Sequence, residues 1–114
     1  MLCNAVRKLA KNFSDTVYNL AMSEESCMYT VGKCGPGVGC IVGQAFIEAY
    51  PHLEHVAKDT DNVGVAGPDR LASNAGLQVC PNDIKWLTIV QNKQDNGCEW
   101  GSAVEFADET LGLS

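Results

Sequence analysis

GCIVGQAFIEA, the stretch at residues 39–49, follows the pattern G-C-x-x-G-x-A-x-x-x-A, and the same pattern returns as GCEWGSAVEFA at residues 97–107. In each copy a glycine and a thiol precede small residues at helical spacing, which predicts two helices that begin alike. Small side chains permit short distances between helix axes, so we expect these helices to pack against each other. The residues expected at that contact are Gly43, Ala45, Gly101 and Ala103.

The sequence on either side of these stretches predicts further short helices. Pro51 suits the first position of a helix that runs to about Lys58, and a polar loop then extends from Asp59 to Gly67. Gly76 is typical of a helix C-terminal cap. The predicted helices cover approximately residues 3–13, 40–50, 51–58, 67–76, 81–95 and 99–110.

A short β-prone segment and a glycine-rich turn separate the first helix from the second. Residues 28–31 read Met-Tyr-Thr-Val, which favours a strand, and the frequent glycines of residues 32–39 exclude regular structure. We therefore predict a mainly α protein. It is a single domain over residues 1–114, a compact bundle of five or six short helices with one small β element near residues 28–33.

Composition and charge restrict the classes of partner. The chain of 114 residues has a formal net charge of −6 and a sequence pI near 4.7, which disfavours nucleic-acid binding and favours a basic protein surface as partner. No stretch is apolar for long enough to serve as a secretory signal or a membrane span. These features predict a cytoplasmic protein that binds neither nucleic acid nor membrane.

Six cysteines allow two interpretations of the thiol chemistry. In a reducing cytoplasm, most of them are expected to be buried free thiols. The alternative is a zinc- or thiol-dependent module centred on Cys27, Cys34 and Cys40, with His55 as a further ligand, because thiolate and imidazole are the ligands that zinc prefers. No C-x-x-C knuckle is present, so free thiols are the preferred interpretation.

No catalytic signature is recognisable in the sequence. Cys40 and Cys98 lie near predicted helix N-termini, where a thiol can become reactive, but neither has a base beside it in sequence. The glycines that precede Cys40 lack the G-K-[ST] element of a phosphate-binding loop. We therefore predict that the protein is not an enzyme and requires no cofactor.

Two segments resemble small helical proteins of actinobacteria and of the phages that infect them. They are Cys40 to Ala45, which reads CIVGQA, and Trp86 to Asp108, which contains WLxxVQxxQDxGxxWGxAVxxAD. The resemblance is one of pattern and size, and it assigns no catalytic residue to this chain. It implies an accessory protein of phage or phage-like origin that acts inside the bacterial cell.

Together these observations predict a small acidic interaction protein that binds a host or phage protein and carries out no chemistry. Tryptophan and phenylalanine often anchor interfaces, and carboxylates near them would recognise a basic partner. Both tryptophans suit a core equally, and the apolar stripe around Trp86 favours the core. The predicted binding residues are Trp86, Trp100, Glu105, Phe106 and Asp108. The sequence leaves the partner and the oligomeric state open.

Overall fold

The architecture is that of a computed structural model, which describes residues 2–17, 33–34, 37–63 and 67–112. The described residues form six α-helices, one turn of 3-10 helix and a pair of two-residue strands, so the predicted mainly α fold is confirmed. The helices are α1 (Leu2–Asn12), α2 (Ile41–Ala49), α3 (Glu54–Val63), α4 (Pro68–Asn74), α5 (Pro81–Asp95) and α6 (Trp100–Leu111), and the 3-10 turn is Pro51–Leu53. In the described ranges, no helix has the length and apolar character that crossing a bilayer requires.

The two strands lie between α1 and α2, inside the glycine-rich stretch of residues 32–39, so the prediction that this stretch excludes regular structure is wrong. Strand β1 (Lys33–Cys34) pairs antiparallel with β2 (Gly37–Val38), and Lys33 is opposite Val38 in the register. The β element predicted from the sequence was placed near residues 28–33, of which residues 28–32 lie outside the described residues. That part of the expectation stays a prediction.

Local signals place most helix ends correctly. Pro68 and Pro81 are the first residues of α4 and α5, where the missing N–H of proline costs no intrahelical hydrogen bond. Gly76 follows α4 with φ of +71°, the left-handed conformation that glycine adopts without strain.

The predicted polar loop from Asp59 to Gly67 is wrong over residues 59–63, because α3 continues to Val63. Thr60 lies inside this extension and is buried. Its hydroxyl donates to the carbonyl of Val56 at 2.8 Å and accepts from Asn74 Nδ2 at 3.1 Å. A hydrogen bond to α4, which local sequence does not reveal, thus ties the last turns of α3 to the rest of the fold.

The predicted direct packing of α2 on α6 is also wrong. Helix α2 packs mainly on α1, whereas α6 packs mainly on α5 and also contacts α1. The small residues are nonetheless away from solvent: Gly43, Ala45 and Ala103 are buried and Gly101 is partly buried. Each copy of the repeat therefore permits a close approach, but to different neighbours.

At Gly101 that neighbour is the chain just beyond α1. A Cβ atom added to Gly101 would lie 2.8 Å from the Cβ of Ser14, closer than such atoms approach in proteins. The amide of Gly101 donates to the carbonyl of Ser14 at 3.0 Å, and the amide of Trp100 donates to that of Thr16 at 2.8 Å. Two of the free amides at the start of α6 are therefore satisfied by backbone carbonyls.

A buried glutamine completes the start of α2. Cys40 occupies the N-cap position and makes no side-chain hydrogen bond to the helix. Gln94 of α5 supplies the acceptor instead, because its Oε1 accepts a hydrogen bond from the amide of Ile41 at 2.8 Å. Its Nε2 donates to the carboxylate of Asp95 at 2.9 Å. The side chain of Gln94 is fully buried, so α5 both packs on α2 and caps it.

We expect Gln94→Ala to lower the free energy of unfolding by about 2–4 kcal/mol, because it leaves the buried amide of Ile41 without its acceptor and opens a cavity. Urea unfolding followed by circular dichroism measures the change. Asn92→Ala, on the exposed side of the same helix, is the control and should change stability by less than about 0.5 kcal/mol. Equal stability of the two variants would contradict the proposed role of Gln94.

Candidate protein-interaction surface

Helices α5 and α6 form a hairpin that determines which side of α6 is exposed. Gly97 turns the chain between them with φ of +92°. The side of α6 that faces the core carries Trp100, Ala103 and Ala107, all of which are fully buried. The opposite side, which we call the outer face of α6, is exposed and consists of Glu99, Ser102, Glu105, Phe106, Glu109 and Thr110.

The outer face of α6 is acidic. It carries three glutamates, and α6 itself contains no lysine or arginine. Glu109 lies in the last turn, where the partial negative charge of the helix C-terminus disfavours a carboxylate. Among the described residues, no salt bridge is formed by Glu99, Glu105 or Glu109. This surface therefore presents carboxylates that no salt bridge among the described residues neutralises.

Phe106 is the large apolar side chain of this face, and 42% of its surface is exposed. Lys93, in the last turn of α5, places its Nζ 4.0 Å from the centroid of the Phe106 ring. Such a cation–π contact contributes about 0.5–1 kcal/mol at an exposed site. The outer face thus combines an accessible aromatic ring, carboxylates around it and a cation already bound to the ring.

Asp108 of α6 points towards the other helices. Arg7 of α1 donates two hydrogen bonds to its carboxylate, at 2.8 and 2.6 Å, and the indole N–H of Trp86 in α5 donates a third at 2.9 Å. The guanidinium of Arg7 also lies over the Trp86 ring, 4.6 Å from its centroid. The hydrogen bonds from Arg7 lower the pKa of Asp108, the indole bond adds to that effect, and burial opposes it.

An open groove lies between α1 and α6, beside the outer face. It has a volume of about 360 Å³. Its polar lining contains both signs of charge, because Arg7 and Lys11 come from α1 while Glu105 and Asp108 come from α6. Arg7 and Asp108 are already bound to each other, so these two charges of the lining neutralise one another.

The five predicted binding residues divide into three groups. Glu105 and Phe106 are exposed on the outer face. The prediction of Trp86 and Trp100 as contact residues is wrong, since they are 2% and 0% exposed and belong to the core. Asp108 is occupied by Arg7 and Trp86, so it orients α6 and leaves recognition to its neighbours.

The cysteines also divide into two groups. Cys3, Cys80 and Cys98 are free, as the sequence predicts, but they are not buried as expected, since Cys80 is exposed and the other two are partly buried. Cys40 is disulfide-bonded, so the expected free thiol at this position is wrong. Cysteine count did not reveal the bond, because pairing depends on the approach of two Cβ atoms in space. Burial raises the pKa of the Cys3 thiol to about 11, and the carboxylate of Asp83 adds to the rise.

The predicted zinc ligands are not brought together within the described part of the chain. A disulfide sulfur is no thiolate, so Cys40 does not serve as a ligand in this structure. His55 is exposed on α3. Cys27 and the side chain of Cys34 lie outside the described part of the chain. Within the described ranges, no group of three histidine, cysteine or acidic residues is arranged to hold a metal.

Three residues that shape this region were not identified from the sequence. No role was predicted for Arg7, because its partner Asp108 lies 101 positions away. None was predicted for Lys93 and Gln94 of α5 either. Of these, only Lys93 could have been suspected from the sequence. A basic residue in the last turn of a helix can reach an aromatic side chain of the next helix and form a cation–π contact.

Comparisons of the chain with protein-family models, with curated proteins and with solved structures found no match.

We expect Asp108→Asn to lower the free energy of unfolding by about 1–2 kcal/mol at pH 7, because a neutral amide loses the charge-assisted bonds to Arg7. The folded pKa of Asp108 lies below its ordinary value of 3.8. The contribution is therefore fully present above that value and is lost as the pH falls through the lowered pKa. Urea unfolding from pH 7 down to about pH 3 measures it. Glu109→Gln is the exposed control, and a difference that stays constant below about pH 4 would contradict the assignment.

Among the free cysteines Cys3, Cys80 and Cys98, we expect iodoacetamide at about pH 8 to label Cys80 first and Cys3 last. With a pKa of about 11, only roughly one Cys3 thiol in a thousand is the reactive thiolate. Cys80 is exposed. Cys40 should remain unlabelled until a reductant is added. Peptide mapping by mass spectrometry measures the order, and denatured, reduced protein is the control in which all six react. Labelling of Cys40 without reductant would contradict the disulfide.

Proposed function

We propose that this protein is a small acidic interaction protein, a phage-derived accessory factor that binds a host or phage protein and carries out no chemistry. The observation that carries the proposal is Phe106, a large aromatic side chain exposed in the middle of an acidic helix face. Aromatic side chains at the centre of an interface often provide much of the binding free energy. The proposed contact surface is the outer face of α6.

The charges of this face support a basic partner. Glu99, Glu105 and Glu109 have no compensating cation on α6, and the whole chain carries a net charge of −6. Complementary charge around an aromatic contact orients the partner and accelerates association. The phage origin in the proposal is supported by the sequence resemblance alone.

The proposal places the protein in the cytoplasm, and the disulfide of Cys40 weighs against that location. Disulfides are rare in reducing compartments. Alkylation of thiols in intact cells before lysis distinguishes a reducing cytoplasm from an oxidising compartment. Cys40 is protected from the reagent only where the disulfide persists. A protected Cys40 would replace the cytoplasmic location by an oxidising compartment and would leave the contact surface unchanged.

We expect Phe106→Ala to weaken partner binding about tenfold or more, because it removes the central apolar contact. Immobilised wild-type protein is incubated with actinobacterial lysate, the captured protein is identified and purified, and its affinity is measured by calorimetry. Phe13→Ala is the matched control, since Phe13 lies outside α6 and is similarly exposed, at 39% against 42% for Phe106.

Loss of binding in Phe106→Ala with full binding in Phe13→Ala supports the proposal. A partner that binds both variants as tightly as the wild type, or neither of them, contradicts the assignment of the outer face. Urea unfolding of both variants verifies that each remains folded.

A further inference from the structure

The ring of Phe106 already holds a cation. Lys93 reaches from α5 to within 4.0 Å of the ring centroid. Lys93 forms no salt bridge with any residue that the structure describes, so the ring is the contact that the structure gives for its charge. An exposed phenylalanine that binds a cation within its own chain has the geometry needed to bind one from another chain.

We infer that Phe106 is a receptor for a cationic side chain of the partner and that Lys93 covers the ring until this side chain displaces it. The inference rests on the proposed function, and it adds the chemical group that is recognised. The occupant is a segment of a partner protein that contains arginine. Lys93 is then an internal competitor, which lowers the affinity of the free surface for its partner.

The charges around the ring favour an external cation. Glu105 precedes Phe106 on the helix, and Glu109 lies one turn further on, on the same side. Glu109 stands in the last helical turn, which favours a positive charge, and α6 supplies none. Arginine suits this arrangement best, because its planar guanidinium can stack on the ring and donate to a carboxylate at the same time.

Displacement of Lys93 leaves the number of cation–π contacts unchanged, because one cation leaves the ring as another arrives. The lysine ammonium is transferred to water, where it is well hydrated. Removing Lys93 should therefore increase affinity by what the internal contact contributes, which corresponds to about two- to fivefold at an exposed site.

The test uses a fluorescently labelled peptide of ten residues in which arginine and serine alternate, and it measures the dissociation constant by anisotropy at physiological salt. We expect Lys93→Gln to bind this peptide about two- to fivefold more tightly than the wild type. Lys85→Gln, an exposed lysine of the same helix, removes the same charge elsewhere and corrects for the change in net charge. Lys93→Arg keeps a cation on the ring and should bind no more tightly than the wild type.

A second pair of variants shows whether the gain acts through the ring. Phe106→Leu keeps an apolar side chain without π electrons, so adding Lys93→Gln to it should produce no more gain than Lys85→Gln does. The inference is overturned if Lys93→Gln and Lys85→Gln bind equally, or if the Lys93→Gln gain persists in the Phe106→Leu background. Neither result bears on the proposed function, which fails separately if the captured partner binds Phe106→Ala and the wild type equally.

Discussion

The carboxylate of Asp108 joins three helices, because it accepts hydrogen bonds from Arg7 of α1 and Trp86 of α5 while it belongs to α6. Two positions along an α-helix correspond to a rotation of about 200°. When Asp108 faces the core, Phe106 must therefore face solvent. The hydrogen bonds of Asp108 to Arg7 and Trp86 thus also determine which residues of α6 form its outer face.

Local sequence predicted the helices whose ends carry their own signals. Pro68, Pro81 and Gly76 mark helix ends through backbone constraints that act regardless of tertiary context. The end of α3 was misplaced because Thr60 is held by a hydrogen bond to another helix. The repeated small residues correctly predicted close packing at Gly101. The pattern does not indicate which residue approaches it, and in the structure that residue is Ser14.

The candidate site was predicted in part for a similar reason. Residue type selected Glu105 and Phe106, because acidic and aromatic side chains are frequent in interfaces, and both are exposed on the outer face of α6. Residue type alone did not separate them from Trp86 and Trp100, which are equally aromatic but face inward. Arg7 was not identified because its partner lies 101 positions away. Sequence periodicity describes one helix at a time, whereas burial is decided by several helices together.

The hydrogen bonds from Trp100 and Gly101 to the carbonyls of Thr16 and Ser14 join the start of α6 to the chain just after α1. On the ribosome, the 101 positions between Arg7 and Asp108 take roughly 5–20 s to synthesise. Of the two helices that α1 contacts most, α2 is therefore synthesised well before α6. The contact between α1 and α2 can form first, and α6 then adds the hydrogen bonds between Arg7 and Asp108.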